Sequence, residues 1–444
     1  MRRRRSLMVL AAAFCVAGST PHAADTPQLV LRGTYATGLA GDNAEVISIR
    51  HRDATAAISN TAASVDVLDL SDPDNPNLIL RVDIDLATGR PNSVAVHPVH
   101  DYFLVVTGTA GVVGTVFAHR LSDGALLASA AVGIQPDAVV ISPNGQYAVV
   151  ANEAEGAGLN NNGGPGSLSI IDLSGFNGVD EDDDLVVTPV SLPSLAGVAG
   201  VSSGRTDDIA RLSIDNSPGT LEPENIAFSH NSRYAFITLQ ENNAIIQLDV
   251  RTREMGVVGA GQTTHAADLI NGGGYAPDQT LTAFREPDGI AVDQTGRFFV
   301  TADEGDTRDG AAASGPRGGR TVSVFDARTG AFIADTGRQI DDAAADPDVA
   351  VYPDNRSERG SSEPEGIDLV SYRGVTLAAV ALERANAIAL VDVSDPTSPE
   401  VVNVTPLVGH IGPESVKFFR RGPRLFVASG NEVSGTVTVL EVVF

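Results

Sequence analysis

Short apolar runs alternate with polar turns along nearly the whole chain, and the alternation repeats as a unit. From Glu222 to Asp249 the sequence reads EPEN, IAFS, HNSR, YAFITL, QENN, AIIQLD: two apolar strands about a polar turn, a polar loop, and a third strand ending on Asp. The same grammar starts at Gln135 (QPDA, VVIS, PNGQ, YAVVA), Glu286 (EPDG, IAVD, QTGR, FFVTA), Glu363 (EPEG, IDLV) and Gly412 (GPES, VKFF), with third strands at Ser167 to Asp172 and Thr321 to Asp326. Two degenerate copies begin near Ala44, with a third strand at Val65 to Leu70, and at Arg90, with strands at Ser93 to His97 and Tyr102 to Thr107. That makes seven.

The runs are β-branched or aromatic, have strand length, and are bounded by Asn-Gly, Thr-Gly or Asn-Ser turns, while no segment carries a capped 3.6-residue apolar period. The pattern therefore predicts an all-β chain with little helix. A lone sheet of three or four strands leaves both faces exposed, whereas stacking such sheets around an axis buries the faces and leaves short edges. The expected fold is a seven-bladed β-propeller of the YVTN/WD40-like kind, with residues 25–444 as one domain. An open β-solenoid is the alternative, but its coils are shorter and more uniform than these units. The strand Leu29 to Tyr35 precedes the first unit, so it is expected to complete the last blade beside Thr436 to Val443. Two insertions, 156–166 and an acidic one from 179–184 through Asp207 and Asp208, read as surface loops.

Residues 1–24 hold Arg2 to Arg5, an apolar run from Leu7 to Ala17 and small residues at Ala23 and Ala24, the layout of an export signal whose apolar run is too short to span a bilayer. Arg4-Arg5-Ser6-Leu7 leaves a twin-arginine route open beside the general one. Bulky Phe14 before Cys15 argues against a lipoprotein. Cys15 is the only cysteine, so the exported chain has no disulfide, thiolate ligand or haem-attachment pair, and any bound metal must use oxygen or histidine. The net charge of −26, with Lys417 the only lysine, repels nucleic acid and anionic lipid. The chain is expected to be exported to the periplasm or outside the cell, to stay out of the membrane, and to be monomeric.

In an antiparallel four-stranded blade, the linker into the first strand and the loop between the second and third strands lie on one face. The inlet turns carry Asp137, Glu222, Glu224, Glu286, Asp288, Glu363, Glu365 and Glu414, next to the innermost strands. The loops after the second strands carry Glu153, Glu241, Asp303, Glu304, Asp306, Glu383 and Glu432. Two acidic tiers are thus expected at one mouth of the axial channel, while the opposite turns, such as Pro143-Asn144-Gly145, have no charge theme. Crowded carboxylates raise one another's pKa unless arginine or a cation neutralises them. Arg308, Arg356 and Arg384 follow the acids closely enough to pair with them or to grip an anion, and a hard divalent cation, Ca²⁺ above all, takes several such oxygens at once. Glu-Pro-Glu-Gly could equally serve only to build the blade linker. Asp249, Asp326 and Asp392, at third-strand ends, are expected to cap turns.

Long ordered words in the chain resemble the secreted propeller family called choice-of-anchor I, some members of which are described as atypical alkaline phosphatases. They are LEPENIAFS with TLQENNAI, EPDGIAVD with VTADEGDTRD, DNRSERGSSEPEGI with LERANAIALVDVSDP, and PESVKFF with ASGNEVSGTVTVLEV. The resemblance implies the propeller fold and places the family's polar words on Glu222, Glu224, Glu241, Asn242, Glu286, Asp288, Asp303, Glu304, Asp306, Arg308, Arg356, Ser357, Glu363, Glu365, Glu383, Arg384, Asn431 and Glu432. Relatives tend to read Lys-Gly-Pro before EPEG where this chain has Arg359-Gly360 and Ser361-Ser362, which removes a lysine-based anion contact. The chain ends on its last expected strand at Phe444, where relatives often carry a sorting tail, and this favours a soluble periplasmic or released protein.

Two functions stay open. One is a metal-dependent phosphoesterase in which the acids hold a cation, the cation binds a phosphate ester and activates water, and an arginine grips the remaining phosphate oxygens. Against it, no Gly-x-Ser-x-Gly elbow or nucleophile with an adjacent base stands out, so no catalytic residue can be named. The other is a non-catalytic propeller whose acidic face binds Ca²⁺, a small ligand or another protein. A quinone or haem oxidoreductase is disfavoured by the absence of tryptophan and of Cys-x-x-Cys-His.

Overall fold

The computed structural model describes residues 26–85, 87, 89–154, 164–179, 184–201, 218–305 and 318–444. The export-signal reading of residues 1–24 lies outside them, as do residues 156–163, 180–183 and 202–208 of the two expected insertions; the described part of the second is not all surface loop, since Val186–Ser191 is a strand paired with Ser167–Asp172.

The described residues form seven four-stranded antiparallel sheets and one two-stranded hairpin. In blade 1 the strands run Ile47–Arg50, Thr55–Asn60, Ser64–Asp69 and Asn77–Asp83, paired in that order. The innermost strands of blades 2 to 7 are Arg90–Val96, Pro136–Ile141, Ile226–Phe228, Ile290–Val292, Pro364–Tyr372 and Pro413–Arg421. Each neighbours the innermost strand of the next blade, and the seventh returns to Ile47–Arg50. The chain is therefore a seven-bladed β-propeller, as the repeat predicts.

The core explains why seven weak sheets make one stable ring. Among the described residues, buried apolar side chains form seven interfacial clusters, one for each pair of adjacent blades, and an eighth, small one of Ala267, Leu281 and Ala283 apart from them. Between blades 7 and 1, for example, Phe419, Phe426 and Val437 pack on Ile47, Ile49 and Ile58. No blade has a core of its own, so each is stable only while both neighbours are present.

The N-terminal strand closes the ring. Gln28–Ala36 pairs antiparallel with Thr436–Val443, from Gln28 opposite Val443 to Ala36 opposite Thr436. A buried polar lock that the sequence did not reveal fastens it. The Tyr35 hydroxyl donates to Asp66 Oδ2 at 2.8 Å, and the Arg81 guanidinium reaches Asp66 through Nε (2.5 Å) and Nη2 (2.8 Å) while also donating to the Thr37 carbonyl. Asp66, fully buried in blade 1, thus holds the strand that ends blade 7. Asp66→Asn should cost about 2–3 kcal/mol, since it leaves a partly buried guanidinium without its charge partner. Chemical denaturation measures this, and a loss no larger than that of a surface substitution would show the lock to be idle.

Third strands fall where the sequence places them at Ser167–Asp172, Ala244–Asp249 and Thr321–Asp326, because each ends on an Asp whose carboxylate caps the following turn. Asp392 does the same for Ser394. Three features depart from the sequence reading. Blades 1 to 6 each have a fourth, outer strand that the repeat did not mark, whereas in blade 7 that place is taken by the N-terminal strand, as expected. A hairpin, Gln262–Ala267 with Gln279–Phe284, is inserted between blades 4 and 5, and a six-residue helix, Gln339–Ala344, lies in the linker between blades 5 and 6.

Candidate functional site

The inlet turns share an unusual backbone. Gln135, Glu286 and Glu363, each directly before a proline, adopt left-handed φ values of 45°, 45° and 50°, and Gly412 before Pro413 has φ 69°. A following proline disfavours the right-handed helical region, and left-handed geometry is uncommon for residues with a Cβ. Asparagine side chains of the preceding blades brace two of these turns. The Glu286 N–H donates to Asn243 Oδ1 at 2.7 Å, and the Gly412 N–H to Asn386 Oδ1 at 3.0 Å.

This turn separates the two acids of each Glu-Pro-acid word. The first acids, Glu222 and Glu286, are buried and belong to none of the carboxylate triples described below. The second acids, Glu224, Asp288, Glu365 and Glu414, gather with the loop acids around one mouth. Glu304, Glu363 and Glu365 place one oxygen each within 4.8 Å of one another, and so do Glu365, Glu383 and Glu414. Strand alternation thus brings together acids almost two hundred residues apart, from Glu224 to Glu414.

Their electrostatics match the crowding. Burial, then the charges of Asp137, Glu241 and Glu383, pushes Asp288 up to about 7. Burial raises Glu414 to about 8, with Glu383, Glu432 and Asp288 adding to the shift. Glu224, Glu304 and Glu365 are driven well above the usual carboxylate range by burial and neighbouring acids, and Glu383 and Glu432 rise as well. Three of these groups also keep an oxygen with no partner, Oε2 of Glu224, Glu365 and Glu383, and the last two residues are only 7% and 4% exposed.

The arginines have a different task from the one the sequence suggested. Arg356 and Arg384 do not stand free for an anion. Glu363, fully buried, takes both: Oε1 accepts from Arg356 Nε (2.9 Å) and Nη2, and Oε2 accepts from Arg384 Nε (2.9 Å). Arg384 Nη1 also pairs with Glu383 Oε1. Both oxygens of Glu363 are thereby committed, which takes it out of the first triple as a free ligand.

Asp303 does not join the mouth either. It is the last residue of Phe298–Asp303, buried inside blade 5, and accepts from Thr301 Oγ1 (2.7 Å), Thr321 Oγ1 (2.5 Å) and Ser323 Oγ, with its pKa raised to about 6 by burial. The run Ala302-Asp303-Glu304 placed two acids in one loop; in fact the strand extends one residue further and only Glu304 reaches the mouth, where Gln240 Nε2 donates to it at 2.6 Å. Asp306 and Arg308 lie outside the described residues. Glu241 and Glu432 belong to the ring through their influence on Glu224 and Glu414.

The sequence reading missed Glu45. Its carboxyl, raised well above the usual range by burial and by Asp137, Glu432 and Glu414, completes the ring at blade 1. That unit reads Asn43-Ala44-Glu45 and lacks the proline that marks the other inlet turns, although its place before Ile47–Arg50 is the same. His97, away from this mouth, is a packing residue, with Nε2 on the Gly145 carbonyl at 3.0 Å and Nδ1 accepting from the Val99 and His100 N–H groups.

A family profile for the choice-of-anchor I domain matches residues 45–315 and 316–396, most of the chain. This protein belongs to the choice-of-anchor I family. Choice-of-anchor domains are typical of extracellular or cell-surface proteins, so the family points to an exported chain. Among proteins of curated function, none matches it significantly. Solved structures confirm the architecture of this choice-of-anchor I propeller. Hydrazine synthase of Kuenenia stuttgartiensis aligns at 14% identity and TM-score 0.57 over 92% of this chain and 99% of the other. The Cps50 (Swd1) β-propeller domain of Myceliophteria thermophila aligns at 11% identity and TM-score 0.54 over 93% and 99%. At such identities the likeness shows the fold alone. Among the described residues, no helix is long and apolar enough to cross a membrane.

Proposed function

We propose that this exported propeller is a cation-binding module that holds one hard divalent ion, Ca²⁺ in preference, at the mouth of its axial channel. The observation that carries the reading is the triple Glu365, Glu383 and Glu414, in which two buried carboxylates each keep an unpartnered oxygen. A buried ionised oxygen without a partner is costly, and a cation shared among three carboxylates removes that cost for all of them. The donor set is all oxygen, which suits Ca²⁺, Mg²⁺ or Mn²⁺ rather than softer metals. The larger ion takes six to eight ligands, and the neighbouring acids of the ring supply oxygens beyond the three of the triple. Glu432 stands next to Glu414 as a further ligand, while Glu363, saturated by Arg356 and Arg384, frames the site rather than binding the ion. Asp288, whose charge acts on Glu414, and Glu224 beside it extend the ring of acids around the site. The monomeric state and a periplasmic or extracellular destination belong to the same reading.

Calorimetric titration of Ca²⁺ into chelator-treated protein tests it. One site is expected, and Glu365→Gln or Glu383→Gln should weaken it by about tenfold or more, the scale of one lost charge-assisted ligand. Unchanged affinity in both variants would remove the ion from this triple.

A second reading, a metal-dependent phosphoesterase, draws on Arg384, which is paired with Glu363 and Glu383 yet keeps 39% of its side chain exposed beside the triple, where an anion bound to the ion would meet it. Hydrolysis of a generic phosphate ester that needs the cation and disappears in Glu365→Gln would support it. Cation binding without turnover would leave the non-catalytic module.

A further inference from the structure

Among the described residues, the exposed apolar side chains that lie in connections or at strand ends fall mostly on the acidic face. Among the described residues, fifteen large apolar side chains are exposed. Seven of them lie on outer strands around the circumference. Of the eight in connections or at strand ends on the two faces, six are on the acidic face, Val112, Val113, Ile270, Val408, Ile411 and Val433, and two are on the opposite one. A loop side chain in water does no packing work, so a concentration on one face asks for a cover.

Three of the six lie in the neighbouring connections between blades 6 and 7. The Ile411 N–H donates to Ser434 Oγ at 3.1 Å and the Ser434 N–H returns to the Ile411 carbonyl at 3.2 Å, which fixes Ile411 beside Val433. Val408, 84% exposed, lies in the turn just before. Val433 directly follows Glu432, whose carboxyl feels Asp42 and Glu414. Ile411 and Val433 therefore lie in the same pair of connections as an acid of the ring.

We infer that this face docks a protein segment in which arginine or lysine stands next to an aliphatic or aromatic residue, the apolar side chain seating on Val408, Ile411 and Val433 and the basic one reaching Glu432 and Asp42. Charge selects this occupant. A second copy of a chain carrying −26 would oppose its own acidic face, and nucleic acid or an anionic bilayer would be repelled likewise. A purely apolar ligand would leave the adjoining carboxylates to be desolvated unpaired. A basic and apolar segment satisfies both halves, with charge supplying specificity and association rate and apolar burial supplying the rest of the affinity. The inference does not require the mouth to hold an ion.

Fluorescence anisotropy with labelled synthetic peptides of repeated Arg-Leu-Gly, with Arg-Ser-Gly and Glu-Leu-Gly controls, tests this. The Arg-Leu-Gly peptide should bind about tenfold or more tightly than either control, and Ile411→Ser with Val433→Ser should lower its affinity about tenfold, the worth of partly burying two aliphatic side chains. Both sites are exposed, so the variant should keep the wild-type melting temperature and Ca²⁺ affinity, and loss of Ca²⁺ binding alone would count against the metal site only. Equal binding of Arg-Leu-Gly and Arg-Ser-Gly, no detectable binding of any peptide, or an unchanged affinity in the double variant would each overturn it.

Discussion

Arg320→Met should cost the fold about 3–5 kcal/mol, the usual result of removing one partner from a buried charge network. Among the described residues, Arg320 is the largest fully buried side chain, and it sits at the crossing of three connections. Nη1 donates to the Asp268 carbonyl at 3.0 Å, and Nη2 donates to the carbonyls of Ser357 (2.6 Å) and Arg359 (3.2 Å). Its charge faces Asp341 of the short helix at 3.8 Å, and Asp341 accepts from Ser362 Oγ at 2.7 Å. One guanidinium thus ties the inserted hairpin, the helix and the segment carrying Arg356 toward Glu363. Close backbone approach tightens the crossing: a Cβ on Gly318 would meet Gly360 Cα at 2.8 Å. Methionine matches the length but donates nothing, so three carbonyls and a carboxylate lose their partner inside the fold. Arg233→Met is the control. Its pair with Asp249 has the arginine 53% exposed, and exposed pairs contribute at most about 1 kcal/mol. Comparable losses from the two substitutions, measured by denaturant unfolding, would mean that Arg320 is dispensable.

The repeat carried most of the architecture because it is a property of residue order: period-2 apolar runs, turn pairs and the terminal Asp recur in register, and strand alternation then assigns each connection to a face. The convergence of the acids followed from that topology alone. What did not follow was the partnership of individual side chains. Glu363 and Glu365 are two residues apart in one word, yet the left-handed turn at Glu363 commits its carboxylate to Arg356 and Arg384 and leaves Glu365 at the mouth. Asp303 and Glu304 divide in the same way because the strand runs one residue past the apparent loop boundary. Tyr35, Asp66 and Arg81 are read as ordinary strand residues until ring closure brings them together. The hairpin and helix between blades 4 and 6 are insertions, and a repeat cannot forecast what is absent from its other copies.

Metal-free protein should be most stable in mild acid and lose stability as pH rises toward 9, with Ca²⁺ abolishing the loss. Asp288 is raised to about 7 and Glu414 to about 8, in each case first by burial and then by neighbouring acids, whereas in the unfolded chain both would titrate near 4. A carboxyl whose folded pKa is raised binds its proton more tightly in the native state. Its stabilising contribution is full below about pH 4 and disappears as pH climbs through 7 to 8. The two groups share neighbours and open onto solvent, so their joint effect is taken as on the order of 3 kcal/mol, equivalent to a melting temperature lower by about 3–5 °C. A divalent ion reverses the sign of the problem, because it binds the ionised carboxylates that repel one another in its absence and stabilises the native state by mass action. The Ca²⁺-induced rise in melting temperature should therefore be near zero at about pH 5 and largest at about pH 8, and Glu383→Gln should shrink it. Thermal scans in chelator and in excess Ca²⁺ across that range decide the matter: parallel profiles would show that the mouth's carboxylates are neutralised from within, by Arg356, Arg384 and shared protons, and have no need of an ion.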